Sequence, residues 1–466
     1  MKRKPTFIES ISCFIVLAAL IGIGFGIYEI PIQPLLLITA LYSALIALRV
    51  GVSWEEMEDN IIKNLKTAMP AIFIIFVVGI IIGTWIYSGT VPMLIYYGLK
   101  LIHPSYFLVM AFIIVAIVSV ATGTAWGSSA TAGVALMGIA TELNIPLGIA
   151  AGAIISGAIF GDKLSPLSDT TNLAALVVET DLYTHIKHML WTTVPASIVG
   201  LIIWFIVGRR FESESVNASS VNNLLNQLDD IYNFNLFMLL PFILILWGAF
   251  TRKPIVPVMF LSSLLAILIG TLSNGFSIVD GVTSMANGFT TEMIDNKMTY
   301  SESIQSLLNR GGIFSMITIV VTIFCGYAFA GIVEVAGCLD TILNSFFKYI
   351  KSKTGLIAST ILGSLIIIFT SGVASISIIM VGVLMRDAYK DQNLPPETLS
   401  RTLEDSGTMV LAFVPWGVSA IYYLEVLGVG VNEYAIWAIP CYLCIVFALI
   451  YAITGIGLGT KEENAK

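Results

Sequence analysis

Apolar residues fall in blocks of roughly bilayer length, at about 7–28, 30–50, 70–88, 105–121, 146–161, 190–208, 236–250, 254–273, 311–330, 355–371, 405–427 and 431–453. A membrane-crossing helix needs about 20 such residues. The pattern therefore predicts an all-α polytopic membrane protein of about 11–13 transmembrane helices. Four stretches enter these blocks but carry too much Gly, Ser, Thr or Pro for plain spans: 122–141, 162–180, 372–389 and the Pro-interrupted 405–427. Irregular backbone at membrane depth survives only where protein or a water-filled cavity satisfies it. Broken or re-entrant helices are expected at all four, near the midplane and around a buried polar site.

Similar features recur in the same order. Gly89-Thr-Val91, a lysine at 100 and Thr122-Gly-Thr124 are followed, far downstream, by Gly331-Ile-Val333, lysines at 348, 351 and 353, and Thr370-Ser-Gly372. Basic residues gather at 2–4, at 49–66, at Arg252-Lys253 and at 348–353. If they mark the cytoplasmic side, the two halves are inverted repeats, a plan used by many secondary transporters. The expected division is N-terminal helices 1–50, first transport repeat 51–208, polar extramembrane connection 209–235, linking helices 236–274, second transport repeat 275–453 and C-terminal tail 454–466. The N-terminus is expected in the cytoplasm.

Composition agrees with this. Hydrophobic residues make up 57% and charged residues 11% of the 466 positions, where a soluble domain carries roughly 25% charged. The net charge of −7 comes without a basic block, so a nucleic-acid partner is not expected. The five cysteines lie in apolar runs and read as core residues, including the Cys441–Cys444 pair. His185 and His188 read as a polar turn, and His103, beside Pro104, as an interface residue. No cofactor is expected.

The richest polar stretch is Gly161-Asp-Lys-Leu-Ser-Pro-Leu-Ser-Asp-Thr-Thr-Asn172. Hydroxyls, carboxylates and carbonyls released by Pro166 are hard oxygen ligands suited to a dehydrated alkali cation. Candidate ion-binding groups there are Asp162, Ser165, Ser168, Asp169, Thr170, Thr171 and Asn172. Thr124, Ser128 and Ser129 follow from the preceding small-residue stretch, and Ser375 and Ser377 from its counterpart. Glu404, Asp405 and Thr408 complete the set. Asp169 is expected as the principal Na+ ligand with Asp162 as partner or replacement, because Asp169 has the more hydroxyls beside it and Lys163 adjoins Asp162. Lys163 is the cation within this motif; Arg386 and Arg401 are read as lying in a polar connection. Trp126 and Trp416 are expected near the repeat interface.

GTAWGSS at 123–129, GDKLSPLSDTTN at 161–172, SRTLEDSGT at 400–408, VPWG at 414–417, SWEEMED at 53–59 and SGTVP at 88–92 together resemble NhaC-type Na+/H+ antiporters over essentially the whole chain. Gly417 stands where related members more often have Asn. The resemblance implies a multi-pass antiporter of the bacterial cytoplasmic membrane exchanging Na+ for H+, with lipid around it and a homodimer among the expected assemblies. The same family includes exchangers of malate and protons against Na+ and lactate, so small carboxylates are the alternative partners. An intramembrane aspartyl protease is disfavoured: Ile159 breaks the GxGD signature before Asp162, and no earlier apolar span holds an Asp. A channel is disfavoured by the unlike polar motifs of the two halves.

Overall fold

The computed structural model describes residues 3–459 apart from 26, 29, 213–217, 252, 295–299 and 348–351. Lys2, Arg252, Lys348 and Lys351, used above to judge orientation, lie outside the described residues, as do parts of the polar connection and of the C-terminal tail. Among the described residues the secondary structure is helical apart from an isolated β-bridge between Phe289 and Arg310. Among the described residues nine helices are long and apolar enough to cross a bilayer, and three bent pairs raise this to twelve if each pair is one crossing.

Backbone landmarks recur along the chain at a regular spacing, and their register differs from the sequence expectation at one point. Gly89 ends Trp54–Ser88 in the left-handed region at φ +87°, and its structural counterpart is Gly337, at φ +74°, not Gly331. Gly331 lies inside the helix Ile317–Val335. From the next break onward every landmark recurs after 249 residues. Gly123 and Gly372 both stop a helix at φ +67°, and the extended residues Thr124 and Val373 follow. Asn144 and Asn393 share φ near +54° (55° and 53°), and Pro146 and Pro395 each precede a new helix.

That helix is Leu147–Leu164 in the first repeat; in the second it is Pro396–Ser406 with the turns that follow to Phe413. Pro166 and Pro415 then occupy equivalent breaks. Two ten-residue helices follow, Asp169–Val178 and Val418–Leu427, closed by left-handed Glu179 and Gly428. The expected interruptions are thus present as sharp breaks. Beyond Val373, however, 374–389 belongs to the continuous helix Ala374–Asp391, its polar side chains Ser377, Arg386 and Tyr389 finding partners on other elements.

Upstream, Gly51 and Gly275 are 224 residues apart, as are the helix-capping Ser53 and Ser277. The difference of 25 residues is an insertion at 288–312 in the second repeat. The first repeat runs on unbroken as Trp54–Ser88, started by a capping box in which Ser53 accepts from the Glu56 N–H and Glu56 accepts from the Ser53 N–H. The insertion docks on that helix, Gly312 donating its N–H to the Gly79 carbonyl at 2.7 Å. A side chain at Gly79 would collide with the Gly312 backbone, so the close approach requires glycine.

Each repeat is braced by the helix that precedes the other. Ile32–Arg49 packs on Ile317–Val335, where Gln33 donates to Thr322 Oγ1 at 2.7 Å. Ile255–Asn274 packs on Trp54–Ser88, where Trp85 donates to Ser262 Oγ at 3.0 Å. These swapped braces leave the broken helices of both repeats facing each other in the interior.

Candidate functional site

Where the broken helices meet there is a cavity of about 600 Å3. Its wall is drawn in matched pairs from the two repeats: Gly123 and Gly372, Ala125 and Ala374, Trp126 and Ser375, Ile159 and Thr408, Asp162 and Leu411, Asp169 and Val418, Thr170 and Ser419. All are 249 residues apart, so the two halves of the chain contribute matched positions to the cavity. Ending helices in left-handed glycine at Gly123 and Gly372 turns the chain back without filling the space between the breaks.

Of the residues singled out from sequence, Asp162, Asp169, Thr170, Thr124, Ser375 and Thr408 line the cavity. Asp162 and Asp169 stand differently. Asp162, near the end of Leu147–Leu164, faces Ser168 and the Ala125 amide. Its Oδ1 is buried without a hydrogen-bond partner among the described residues. Asp169 is exposed in the first turn of its helix and accepts the Thr170 N–H at 2.9 Å.

Other candidates have local duties. The Ser165 hydroxyl donates to the Val120 carbonyl at 2.8 Å, and Thr171 donates to the Lys163 carbonyl at 3.0 Å. Asn172 donates to the Pro166 and Ser168 carbonyls at 2.9 and 2.7 Å, closing the turn around Pro166. The Asp162 carbonyl that Pro166 leaves unbonded is taken by the Ser165 N–H at 3.0 Å. The expectation that Pro166 supplies a free carbonyl is therefore corrected. Ser128 and Ser129 bond back to the Ala125 carbonyl, and Ser377 reaches the Ser364 carbonyl at 3.3 Å. Ser168 is within 3.2 Å of the Thr170 hydroxyl.

Lys163 does not pair with Asp162. It turns to the other repeat and forms an ion pair with Asp405, both side chains wholly buried, and Thr192 donates to the same carboxylate oxygen at 2.9 Å. Glu404 and Asp405 sit at the end, not the start, of Pro396–Ser406, and this polar helix is buried from Thr398 onward. Arg401 is likewise buried on it, its guanidinium donating to the Gly457 carbonyl at 2.6 Å, so it is not part of a polar connection. Arg386 is exposed and pairs with Glu179 at 2.5 Å. His185 and His188 are buried on Leu182–Gly208 instead of forming a turn; His185 Nδ1 is hydrogen-bonded to Ser400 Oγ at 2.7 Å. Their i, i+3 spacing puts them on one helix face, which turns toward Pro396–Ser406. His103 caps a short turn at Pro104 by accepting the Ser105 N–H at 3.3 Å.

Trp126 spans the repeats: it donates to Ser419 at 3.3 Å and stacks on Tyr422 at 5.2 Å. Trp416 stays within the second repeat, donating to the Phe369 carbonyl at 2.9 Å just before the Gly372 break. Sequence reasoning missed Tyr327, Ser419, Tyr423 and Lys253 in the cavity wall. Ser419 was findable as the counterpart of Thr170; Tyr327 and Tyr423 look like ordinary core aromatics. Lys253 is exposed at the rim. Among the described residues no group of three or more His, Cys, Asp or Glu could hold a metal ion.

Comparisons with known proteins identify the family. The profile of the Na+/H+ antiporter family matches residues 157–456, the stretch holding Asp162, both cavity breaks of the second repeat and the buried helix. An uncharacterized Na+/H+ antiporter of Haemophilus influenzae is 41% identical over 99% of this chain and 98% of its own length. The malate-2H+/Na+-lactate antiporter of Bacillus subtilis is 35% identical, with 99% and 97% covered. The Na+/H+ antiporter NhaC of Alkalihalophilus pseudofirmus is 36% identical, with 94% and 92% covered. With a family match over more than half its length and full-length relatives above 30% identity, this multi-pass membrane protein belongs to the Na+/H+ antiporter family.

Proposed function

We propose that the protein exchanges Na+ for H+ across the bacterial cytoplasmic membrane, with Asp162 holding the two ions in turn. The observation that carries this is the buried, unpartnered Asp162 oxygen on the wall of a cavity at the meeting point of two broken repeats. A carboxylate out of water needs either a proton or a cation beside it. Sodium and proton then compete for one negative charge, and each displaces the other. Ser168, Thr170 and Thr124 supply the neighbouring hydroxyls. Asp169, at the exposed end, raises the local cation concentration instead of gripping the ion. This ordering reverses the one expected from sequence, because hydroxyl neighbours count for less than enclosure.

The carboxylate-exchange alternative needs a cation inside the cavity. Lys163 is engaged by Asp405, and the basic residue in the wall, Lys253, is at the rim. That favours simple Na+/H+ exchange. The repeats are proposed to be inverted in the membrane, with a cytoplasmic N-terminus. Arg3 and Arg49 support that end assignment, since both reach Glu9 and so lie at the same end of the first two helices. In reconstituted vesicles, an outward Na+ gradient should drive inward proton movement at the same rate with or without malate and lactate. Movement that requires either acid would overturn the reading.

A further inference from the structure

Behind the cavity wall, in the second repeat, lies a carboxylate that the scheme above does not use. Glu404 is wholly buried, and neither of its oxygens has a hydrogen-bond partner among the described residues. Lys163, a cation within electrostatic reach of it, is already bound by Asp405. One turn on, Thr408 is buried with its own hydroxyl unpartnered, and it is part of the cavity wall. Thr408 is tied to Glu404 through the backbone, its N–H donating to the Glu404 carbonyl at 3.1 Å. Glu404 is therefore separated from the cavity by a side chain with an unused donor and acceptor.

Resting on the Na+/H+ exchange reading, we infer that Glu404 is a second exchanging carboxylate, which gives up a proton to the cavity through Thr408 when Na+ reaches Asp162 and regains one when Na+ leaves.

The need for it follows from charge. Lys163 and Asp405 cancel, so Asp162 and Glu404 are two negative charges in one low-dielectric region, each within electrostatic reach of the other. An enclosed carboxylate without a donor must be neutralised. In the outgoing step the O–H bond of Glu404 breaks, the Thr408 hydroxyl accepts that proton and passes its own to cavity water, and the electron pair stays on the carboxylate. The incoming sodium is the cation near both carboxylates: one sodium replaces two protons, and the sodium-bound site carries one net negative charge shared between Asp162 and Glu404. The return step runs in reverse. The buried charged or titratable groups on helices packed around Glu404 include Lys163, His185, His188, Tyr389, Cys441 and Cys444, with Asp169 exposed at the cavity and Arg401 and Asp405 on its own helix; His188, whose ring nitrogens also lack partners among the described residues, does not line the cavity. None is as free of partners and as close to the cavity wall. The first repeat offers no equivalent, since the position 249 residues earlier is Ile155.

The test counts protons released when Na+ binds to the purified full-length protein in detergent, which needs no turnover. The wild type should release more protons per sodium than Glu404→Gln, the difference being about one, as linkage requires for a group emptied on binding. Glu404→Asp should restore the release with a displaced pH dependence. Equal proton counts in wild type and a folded, sodium-binding Glu404→Gln overturn the inference. A folded Glu404→Gln that binds no sodium also overturns it, since Glu404 would then be part of the sodium site itself. If Glu404→Gln does not fold, Glu404→Asp decides: an unchanged pH dependence of release overturns the inference. Failure of the wild type to release any proton on binding sodium sinks the exchange reading instead.

Discussion

On one side of the cavity stand Asp162, Asp169 and Thr170; on the other, 249 residues on, stand Leu411, Val418 and Ser419. The backbones match down to the left-handed residues that end the helices, Glu179 and Gly428 among them. The charges do not match. Duplicated architecture makes two facing breaks and so a cavity, whereas a cation pathway needs its negative charge at one place. Were both sides acidic, four carboxylates would repel one another in a region with little water to screen them. The second repeat instead places its acids nearly two turns earlier on the equivalent helix, where Asp405 meets Lys163 of the first repeat.

The largest effect should follow from removing the charge on the acidic side. Asp162→Asn should abolish sodium-driven proton flux in vesicles while the protein remains folded. Asp169→Asn should leave turnover largely intact and weaken apparent sodium affinity, most visibly at low ionic strength, where exposed charges act at long range. Moving the acid across the cavity, as Asp162→Leu with Leu411→Asp, should not restore exchange, because the Lys163–Asp405 pair is not mirrored. Restored flux in that double variant would show the two sides to be equivalent.

The pair that joins the repeats should govern stability more than turnover geometry. Lys163→Met leaves Asp405 buried beside Thr192 with no cation, a change that typically costs about 3–5 kcal/mol. Replacing both members, Lys163→Met with Asp405→Leu, should recover most of that loss. Thermal unfolding in detergent distinguishes the cases: the single variant should fall well below the double. Equal loss in both would mean that packing, not the unpaired charge, sets the cost.

How much of this could be read from the residues alone differs between the two repeats. Gly, Pro and hydroxyl clustering exposed the first-repeat breaks directly, and the motif at 161–172 marked the Asp162 neighbourhood. The second repeat was harder. Its central helix has the sequence Pro-Glu-Thr-Leu-Ser-Arg-Thr-Leu-Glu-Asp-Ser, which by polarity reads as an aqueous connection, yet it is enclosed by other helices. Only tertiary packing reveals that, because a polar helix inside a bundle satisfies its side chains through partners distant in sequence: Thr398 donates to the Leu458 carbonyl, Arg401 to Gly457, and Asp405 binds Lys163. The register was legible in hindsight. Asn144 and Asn393, Pro146 and Pro395, and Pro166 and Pro415 all share the spacing of 249, but they are turn residues scattered among apolar positions that interchange freely. Matching Gly89 to Gly331 failed because glycine within a helix and glycine ending one look alike in sequence.

The smallest expected effect concerns a pair of helix starts after the cavity helices. Asp181 and Gly430, again 249 residues apart, occupy the same capping position, but only Asp181 has a side chain to use. Its carboxylate accepts the Thr184 N–H at 2.9 Å and the Thr184 hydroxyl at 3.0 Å. The Thr184 N–H bond, followed by the hydroxyl, holds this exposed carboxyl below its ordinary value of 3.8. A carboxyl lowered in the folded protein stabilises it at pH above the unfolded value, and that contribution is lost as pH falls through the folded value. Asp181→Ala should therefore lower the unfolding temperature slightly at neutral pH, by less than Lys163→Met does. The gap between variant and wild type should narrow as the solution is acidified below the carboxylate range, where Asp181 takes up a proton and accepts these bonds more weakly. Thermal unfolding followed at several pH values checks this. A gap that stays constant across that range would assign the cap to the shape of the side chain instead of its charge, and would make the first repeat's Asp181 no different in kind from the uncharged start at Gly430.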